Sequence, residues 1–221
     1  MKLYEIFDDP EDTWEADRPL MNDMSDEMER EVNKRRSAKN HKMLGAGINA
    51  YVSTDDYANY GDVSRVASGG DGGAVFMRHI VADEKYHDNP FLPKVRGIEK
   101  DGEVQVAIVE RLIPFKTPAI LGSLPLMAAL WSLYFNEPWA EAIADWGRNP
   151  MLNVARVLEE CIQENAIDRV VKHPQLKEAL QLVRYMMDEY DVPENDIHTG
   201  NIMWRMSLHS PQLVIVDPIA L

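Results

Sequence analysis

The sequence predicts an α+β fold in two lobes, a small antiparallel β lobe followed by a truncated helical lobe. Three observations predict it. Short β-type segments punctuated by glycine run from about Lys42 to Val109, and segments of helical periodicity dominate from Leu124 onward. A loop from Asp196 to Asn201 is then followed by an apolar strand, Leu213-Val214-Ile215-Val216, that delivers Asp217. The predicted division is an acidic arm and helix over 1–40, the β lobe over 41–112, and the helical lobe with its loop over 113–221.

The chain has 221 residues and is 45% hydrophobic, enough to bury a sizeable core. No run approaches the ~18–20 apolar residues of a membrane span, and the charged start Met1-Lys2-Leu3-Tyr4-Glu5 lacks the apolar stretch of a signal peptide, so a soluble protein is expected. The single cysteine, Cys161, can form no internal disulfide and reads as a small buried hydrophobe on a helix. Net charge is −14, and residues 1–31 carry twelve Asp or Glu against Lys2, Arg18 and Arg30, a local balance of −9. Nucleic-acid binding through a basic face is thereby disfavoured.

Residues 8–29 include Pro10 and Pro19 and show little periodicity, which predicts an extended arm. Its scattered Trp14, Leu20, Met21, Met24 and Met28 would order only in a groove on this protein or on a partner. Ser25 is placed to cap a helix reaching about Lys39, with Met28 and Val32 on one face. Lys42 to Ser53 reads as strand, glycine turn, strand, with Gly45 and Gly47 in the turn. Asp62-Val63-Ser64-Arg65-Val66-Ala67 alternates as a short strand. Four glycines at 69, 70, 72 and 73 precede a helical pattern (Val75, Phe76, His79, Ile80), and two strands, Phe91 to Ile98 and Glu103 to Val109, flank the Lys100-Asp101-Gly102 turn. Glu110-Arg111-Leu112 joins the lobes. Helices are predicted over Leu126 to Phe135, Asn153 to Asn165 and Gln175 to Tyr190, the last with Leu176, Leu180, Val183, Met186 and Met187 on one face. Trp139 and Trp146 are placed between helices as packing residues.

The loop carries the chemistry. An Asp, an Asn five residues on, and an Asp closing the next strand is the order in which protein-kinase-like enzymes present a base and two magnesium ligands. Asp196 would hold the acceptor hydroxyl, and Asn201 and Asp217 would hold Mg2+ on the phosphates of ATP. Helix-to-strand turn chemistry would draw on the same residue types. On the kinase-like reading, Gly45 and Gly47 let the backbone approach the phosphates, although a simple hairpin would look the same. Arg65 either takes the place of the phosphate-binding lysine or is a surface arginine on an edge strand. Glu110 and Leu112 would offer backbone groups to adenine. A glutamate on the helix after the glycine run should pair with Arg65, and only Glu84, late in that helix, is available. His198 could touch phosphate or metal, or bond to backbone.

Lys42-Met43-Leu44-Gly45-Ala46-Gly47, Phe91-Leu92-Pro93-Lys94-Val95, Asp196-Ile197-His198-Thr199-Gly200-Asn201-Ile202-Met203 and Val216-Asp217-Pro218 together resemble the kinase domain of the early serine/threonine protein kinase of T-seven-type bacteriophages. The resemblance spans roughly residues 42–219. It implies ATP- and Mg2+-dependent phosphorylation of host proteins, or of the chain itself, in the cytoplasm of an infected bacterium. That family's second, basic domain has no counterpart before the chain stops at Leu221. Arg65 stands where the family has lysine, Glu194 where most kinases have the catalytic-loop histidine, and only four residues follow Asp217. A pseudokinase acting as a binding inhibitor of a host protein is therefore the alternative. A small-molecule kinase of the aminoglycoside type ranks third, because it normally needs more helical lobe after the metal-binding Asp.

Overall fold

The computed structural model describes residues 25–39, 41–46, 50–54, 61–114, 124–145, 150–206 and 211–221. Ser25 caps the first helix, α1 (Asp26–Arg36), and its hydroxyl accepts from the Met28 N–H at 3.3 Å. Asp26, Glu27 and Glu29 fill the first turn and Lys34, Arg35 and Arg36 the last, the arrangement the helix dipole favours. Met28 and Val32 are buried against Tyr51, Val66, Val104 and Val106. Met28 thus finds its groove on this protein. Residues 26–29, the last of the stretch read as an extended arm, are part of this packed helix. Arg35 on α1 reaches Glu99 at 2.8 Å, and Lys100 pairs with Glu27 and Glu31.

The strands β1 (Lys42–Ala46), β2 (Ala50–Thr54), β3 (Asp62–Ser68), β4 (Val95–Lys100) and β5 (Val104–Glu110) form one antiparallel sheet in the order β1-β2-β3-β5-β4. Between β3 and β4 the chain forms α2 (Gly72–Ala82) and a single 3₁₀ turn, Glu84–Tyr86. Both faces of the sheet are covered. Val66, Val104 and Val106 face α1, while Val63, Ala107 and Val109 pack with Met77 of α2. This is why β3 and β5 are buried almost throughout, where a one-faced sheet would show alternating exposure. Arg65 is accordingly no edge residue. It lies on central β3 at 6% exposure, and strand alternation puts it on the α2 side with Val63 and Ala67. The strand predicted to start at Phe91 begins at Val95, because Phe91 and Leu92 are buried in the main core.

A second sheet holds β6 (Ile113–Pro114), β7 (Ile202–Met206) and β8 (Pro211–Ile215), antiparallel in that order. The helices are α3 (Leu124–Tyr134), α4 (Glu137–Asp145), α5 (Pro150–Gln163), α6 (Ile167–Val170) and α7 (Pro174–Glu189). Trp139 lies within α4, not between helices, and packs partly buried on the main core; Trp146 falls outside the described residues. Pro174 opens α7, where a missing N–H costs nothing. Leu176, Leu180, Val183, Met186 and Met187 form the buried stripe that the 3.6-residue period predicts. Each such side chain contributes about 1.5–3 kcal/mol on burial, so Leu180→Ala is the single change that would most directly loosen this helix, at about 2–5 kcal/mol. Among the described residues, no helix is long and apolar enough to cross a membrane.

Candidate active site

The loop before β7 and the end of β8 are tied together by backbone. Asp196 N–H donates to Pro218 O at 2.8 Å, Val216 N–H donates to Asn201 O at 3.0 Å, and Asn195 bridges to Ile219. These bonds bring Asp196, Asn201 and Asp217 to one corner. The Asn201 amide nitrogen donates to both the Asp196 carbonyl (2.8 Å) and its Oδ2 (2.9 Å), which leaves the amide oxygen as an acceptor. His198 turns back on its own loop: Nδ1 accepts from Gly200 N–H at 3.0 Å, the backbone-bonded of the two roles open to it.

Arg65 enters the same corner from β3. Its Nη2 donates to Asp71 Oδ1 at 2.5 Å and to Asp217 Oδ2 at 3.2 Å. Its Nη1 is buried without a hydrogen-bond partner among the described residues. Asp71 is the N-cap of α2, and the same Oδ1 accepts from Ala74 N–H at 3.0 Å. The carboxylate that pairs with Arg65 is therefore an aspartate in the glycine run. Glu84 is exposed on the 3₁₀ turn beyond α2 and makes no such pair.

The glycine run is explained by close packing on this corner. A Cβ on Gly73 would lie 2.5 Å from Arg65 Nη2 and 2.7 Å from Asp217 Oδ1, and one on Gly72 would lie 1.9 Å from the Ile219 carbonyl oxygen. Only hydrogen in place of a side chain lets α2 press against both segments. Burial pushes the Asp217 carboxyl up to about 6; Arg65 opposes the rise, and the nearby Asp71 and Asp196 charges add to it.

Glu110, expected to offer backbone to a nucleotide, uses its side chain structurally. The buried carboxylate accepts from Lys94 N–H (2.7 Å), from Arg205 Nε (2.7 Å) and from Arg205 Nη2. Its own N–H donates to Lys94 O at 3.0 Å, so that donor is already committed. Arg205 also donates to Pro90 O (2.6 Å) and Leu92 O (2.9 Å), stapling β7 to the β4–β5 side of the molecule. Leu112 is half-buried in the connection from β5 to β6. Gly45 sits within β1, opposite Val52 at an irregularity in the register, and Gly47 lies outside the described residues. Beside the loop, a groove of about 350 Å³ is lined by Ile197, His198 and Thr199 and by Ala155, Arg156, Glu159 and Glu160 of α5.

Among the described residues, no group of three or more His, Cys, Asp or Glu side chains is placed to hold a metal ion. A cation here would rest on one carboxylate, one amide oxygen and oxygens brought by its partner. That is a donor set suited to magnesium on a nucleotide.

No family model matches the chain, and no curated protein matches it. Among solved structures, the crystal structure of aminoglycoside phosphotransferase APH(4)-Ia is similar over 86% of this chain and 69% of that one, at 16% identity and a TM-score of 0.31.

Proposed function

We propose that this chain is an ATP- and Mg2+-dependent phosphotransferase of protein-kinase-like architecture. The observation that carries the reading is the Asn201 amide bonded to the Asp196 carboxylate, with Val216 N–H on the Asn201 carbonyl and Asp217 next in sequence. Those bonds support a reading in which Asp196 is the base and Asn201 and Asp217 are the two cation ligands. Magnesium, when bound, supplies neutralisation of the phosphate charge. The chain's own residues do the rest. With Oδ2 held by Asn201, Asp196 has Oδ1, 3.8 Å from His198 Nε2, to accept a hydrogen bond from the acceptor hydroxyl and fix it in line. The buried, unpartnered Nη1 of Arg65 is a donor of the kind a phosphate oxygen satisfies. The connection that follows Glu110, at Leu112, is where an adenine would lie, and Gly45 and Gly47 would approach its phosphates.

The acceptor we propose is a serine or threonine hydroxyl on a bacterial host protein, or on this chain, in the cytoplasm of an infected cell. That part rests on the sequence resemblance to the phage kinases. A second reading, a pseudokinase that binds and blocks a host protein, is favoured by one observation: Arg65 already engages Asp217, the would-be metal ligand. Calorimetric titration with ATP separates the two. The phosphotransferase reading expects binding that needs Mg2+ and disappears in Asp217→Asn. No Mg2+-dependent heat at millimolar ATP overturns it in favour of the pseudokinase.

A further inference from the structure

His198 joins Asp196 to the groove beside the loop. Its Nε2 lies 3.8 Å from Asp196 Oδ1, and its ring lines the space of about 350 Å³ between the loop and α5. Because Nδ1 accepts from Gly200 N–H, the ring's own proton is on Nε2. Gly200 also fixes where the ring lies, since a Cβ there would come within 2.7 Å of His198 Cε1 and 3.0 Å of Nδ1. The loop thus holds an N–H donor in a set place, beside the carboxylate oxygen that Asn201 leaves open. At 3.8 Å the donor is too far to bond Oδ1 itself, and both side chains are open to solvent, at 58% and 44% exposure. A donor and an acceptor that stand side by side without bonding each other suit a ligand carrying the complementary pair.

The groove indicates which ligand. Arg65, Asn201 and Asp217, the residues placed to meet phosphate and cation, do not line it, and the buried Ile197 and Ala155 give it an apolar floor. It lies on the acceptor's side of Asp196, not the nucleotide's. We infer that His198 is a specificity-determining residue for the acceptor: its Nε2–H donates to a carbonyl oxygen next to the hydroxyl that Asp196 receives, and the groove takes the chain that follows. This rests on the phosphotransferase reading and sharpens it. A serine or threonine residue carries such a pair in its side-chain hydroxyl and its own main-chain carbonyl. Water and simple alcohols offer the hydroxyl alone. An acceptor held at two points has one orientation, which favours it over water as the group that meets the phosphate.

The test uses the full chain with γ-labelled ATP, Mg2+ and a peptide library that carries serine or threonine between random flanks. His198→Asn keeps an oxygen for the Gly200 N–H and loses Nε2–H, whereas His198→Gln restores an amide N–H near the place of Nε2. Gly200→Ala leaves the imidazole intact and displaces it. MgATP affinity by calorimetry and the thermal midpoint are read on the same samples. The inference expects the peptide KM to rise about tenfold in His198→Asn and Gly200→Ala, the scale of one hydrogen bond, with a smaller fall in kcat. His198→Gln should recover most of the loss, and MgATP affinity should hold throughout. A wild-type peptide KM in folded His198→Asn overturns the inference, as does an equal loss in His198→Asn and His198→Gln; either result leaves the phosphotransferase reading standing. A wild type that binds MgATP but labels no peptide overturns the acceptor contact. A wild type that binds no MgATP overturns the phosphotransferase reading itself, and the contact with it.

Discussion

Arg65 Nη2 lies 3.2 Å from Asp217 Oδ2, although 152 residues separate the two in the chain. The contact joins the centre of the first sheet to the end of the second, and Asp71 completes it from α2. Removing the cation leaves the buried Asp71 carboxylate and the half-buried Asp217 carboxylate facing each other. Arg65→Ala should therefore cost about 3–5 kcal/mol in urea denaturation, the usual penalty for stripping one partner from a buried pair. Arg65→Lys keeps the charge but reaches only one carboxylate at a time, and should cost less. If Arg65→Lys also strengthens ATP turnover, the arginine is a residue of the site.

The glycine run gives a graded prediction. Gly70 has nothing within 4 Å of an added Cβ, so Gly70→Ala should be nearly neutral. Gly73→Ala meets the Arg65 fork and the Asp217 carboxylate, and Gly72→Ala meets the rigid backbone carbonyl of Ile219 at 1.9 Å. Thermal melts should rank them Gly70→Ala, Gly73→Ala, Gly72→Ala in increasing damage. Nucleotide binding should already suffer at Gly73→Ala, because side-chain ends there give way at the expense of the site.

Glu110 and Arg205 make a second cross-molecular tie, with side chains 9% and 16% exposed. Glu110→Gln removes the charge from Arg205 while keeping the shape, and should cost roughly 2 kcal/mol, the scale of a hydrogen bond to a charged group. Chemical denaturation of the variant checks it; an unchanged midpoint would mean that the tie contributes nothing.

Asp217 should make stability depend on pH in a direction opposite to that of an ordinary paired carboxylate. Its folded-state value, about 6, lies above the unfolded value of 3.8. The folded form thus binds the proton more tightly, and its contribution is full below pH 3.8 and is lost as pH rises through 6. Without metal or nucleotide, the thermal midpoint of wild type relative to Asp217→Asn should fall between pH 4 and pH 7. A flat difference across that range would contradict the burial argument.

Cys161 is buried on α5, and burial pushes its thiol up to about 12. Native protein should resist a thiol-reactive dye at pH 7.5 and react fully once unfolded in guanidinium, as an inert packing cysteine does.

Much of this molecule is legible wherever a local rule is strong. The stripe on α7, the cap at Ser25 and the Asp196-to-Asn201 loop are each set by residues within a few positions of one another, and each forms where the pattern places it. What local pattern misses is pairing across the chain. Asp71 reads as turn chemistry among glycines, and its partnership with Arg65 depends on α2 docking against β3. Arg205 gave no signal, because its partner Glu110 is 95 residues away. β6 and β7 leave no local pattern, since a two-residue strand has no measurable period and Ile202–Met206 is buried or half-buried along most of its length. Of the two places open to Arg65, the edge strand fails because β3 lies mid-sheet with helices on both faces, which a seven-residue strand pattern cannot signal.

The most direct measurement is transfer of label from γ-labelled ATP. Purified protein is incubated with Mg2+ alone and with a bacterial lysate, alongside Asp196→Asn. The account predicts labelled protein, the chain itself or a lysate component, that depends on Mg2+ and is lost in Asp196→Asn. Absence of label from wild type under these conditions, or label that persists undiminished in Asp196→Asn, would contradict it.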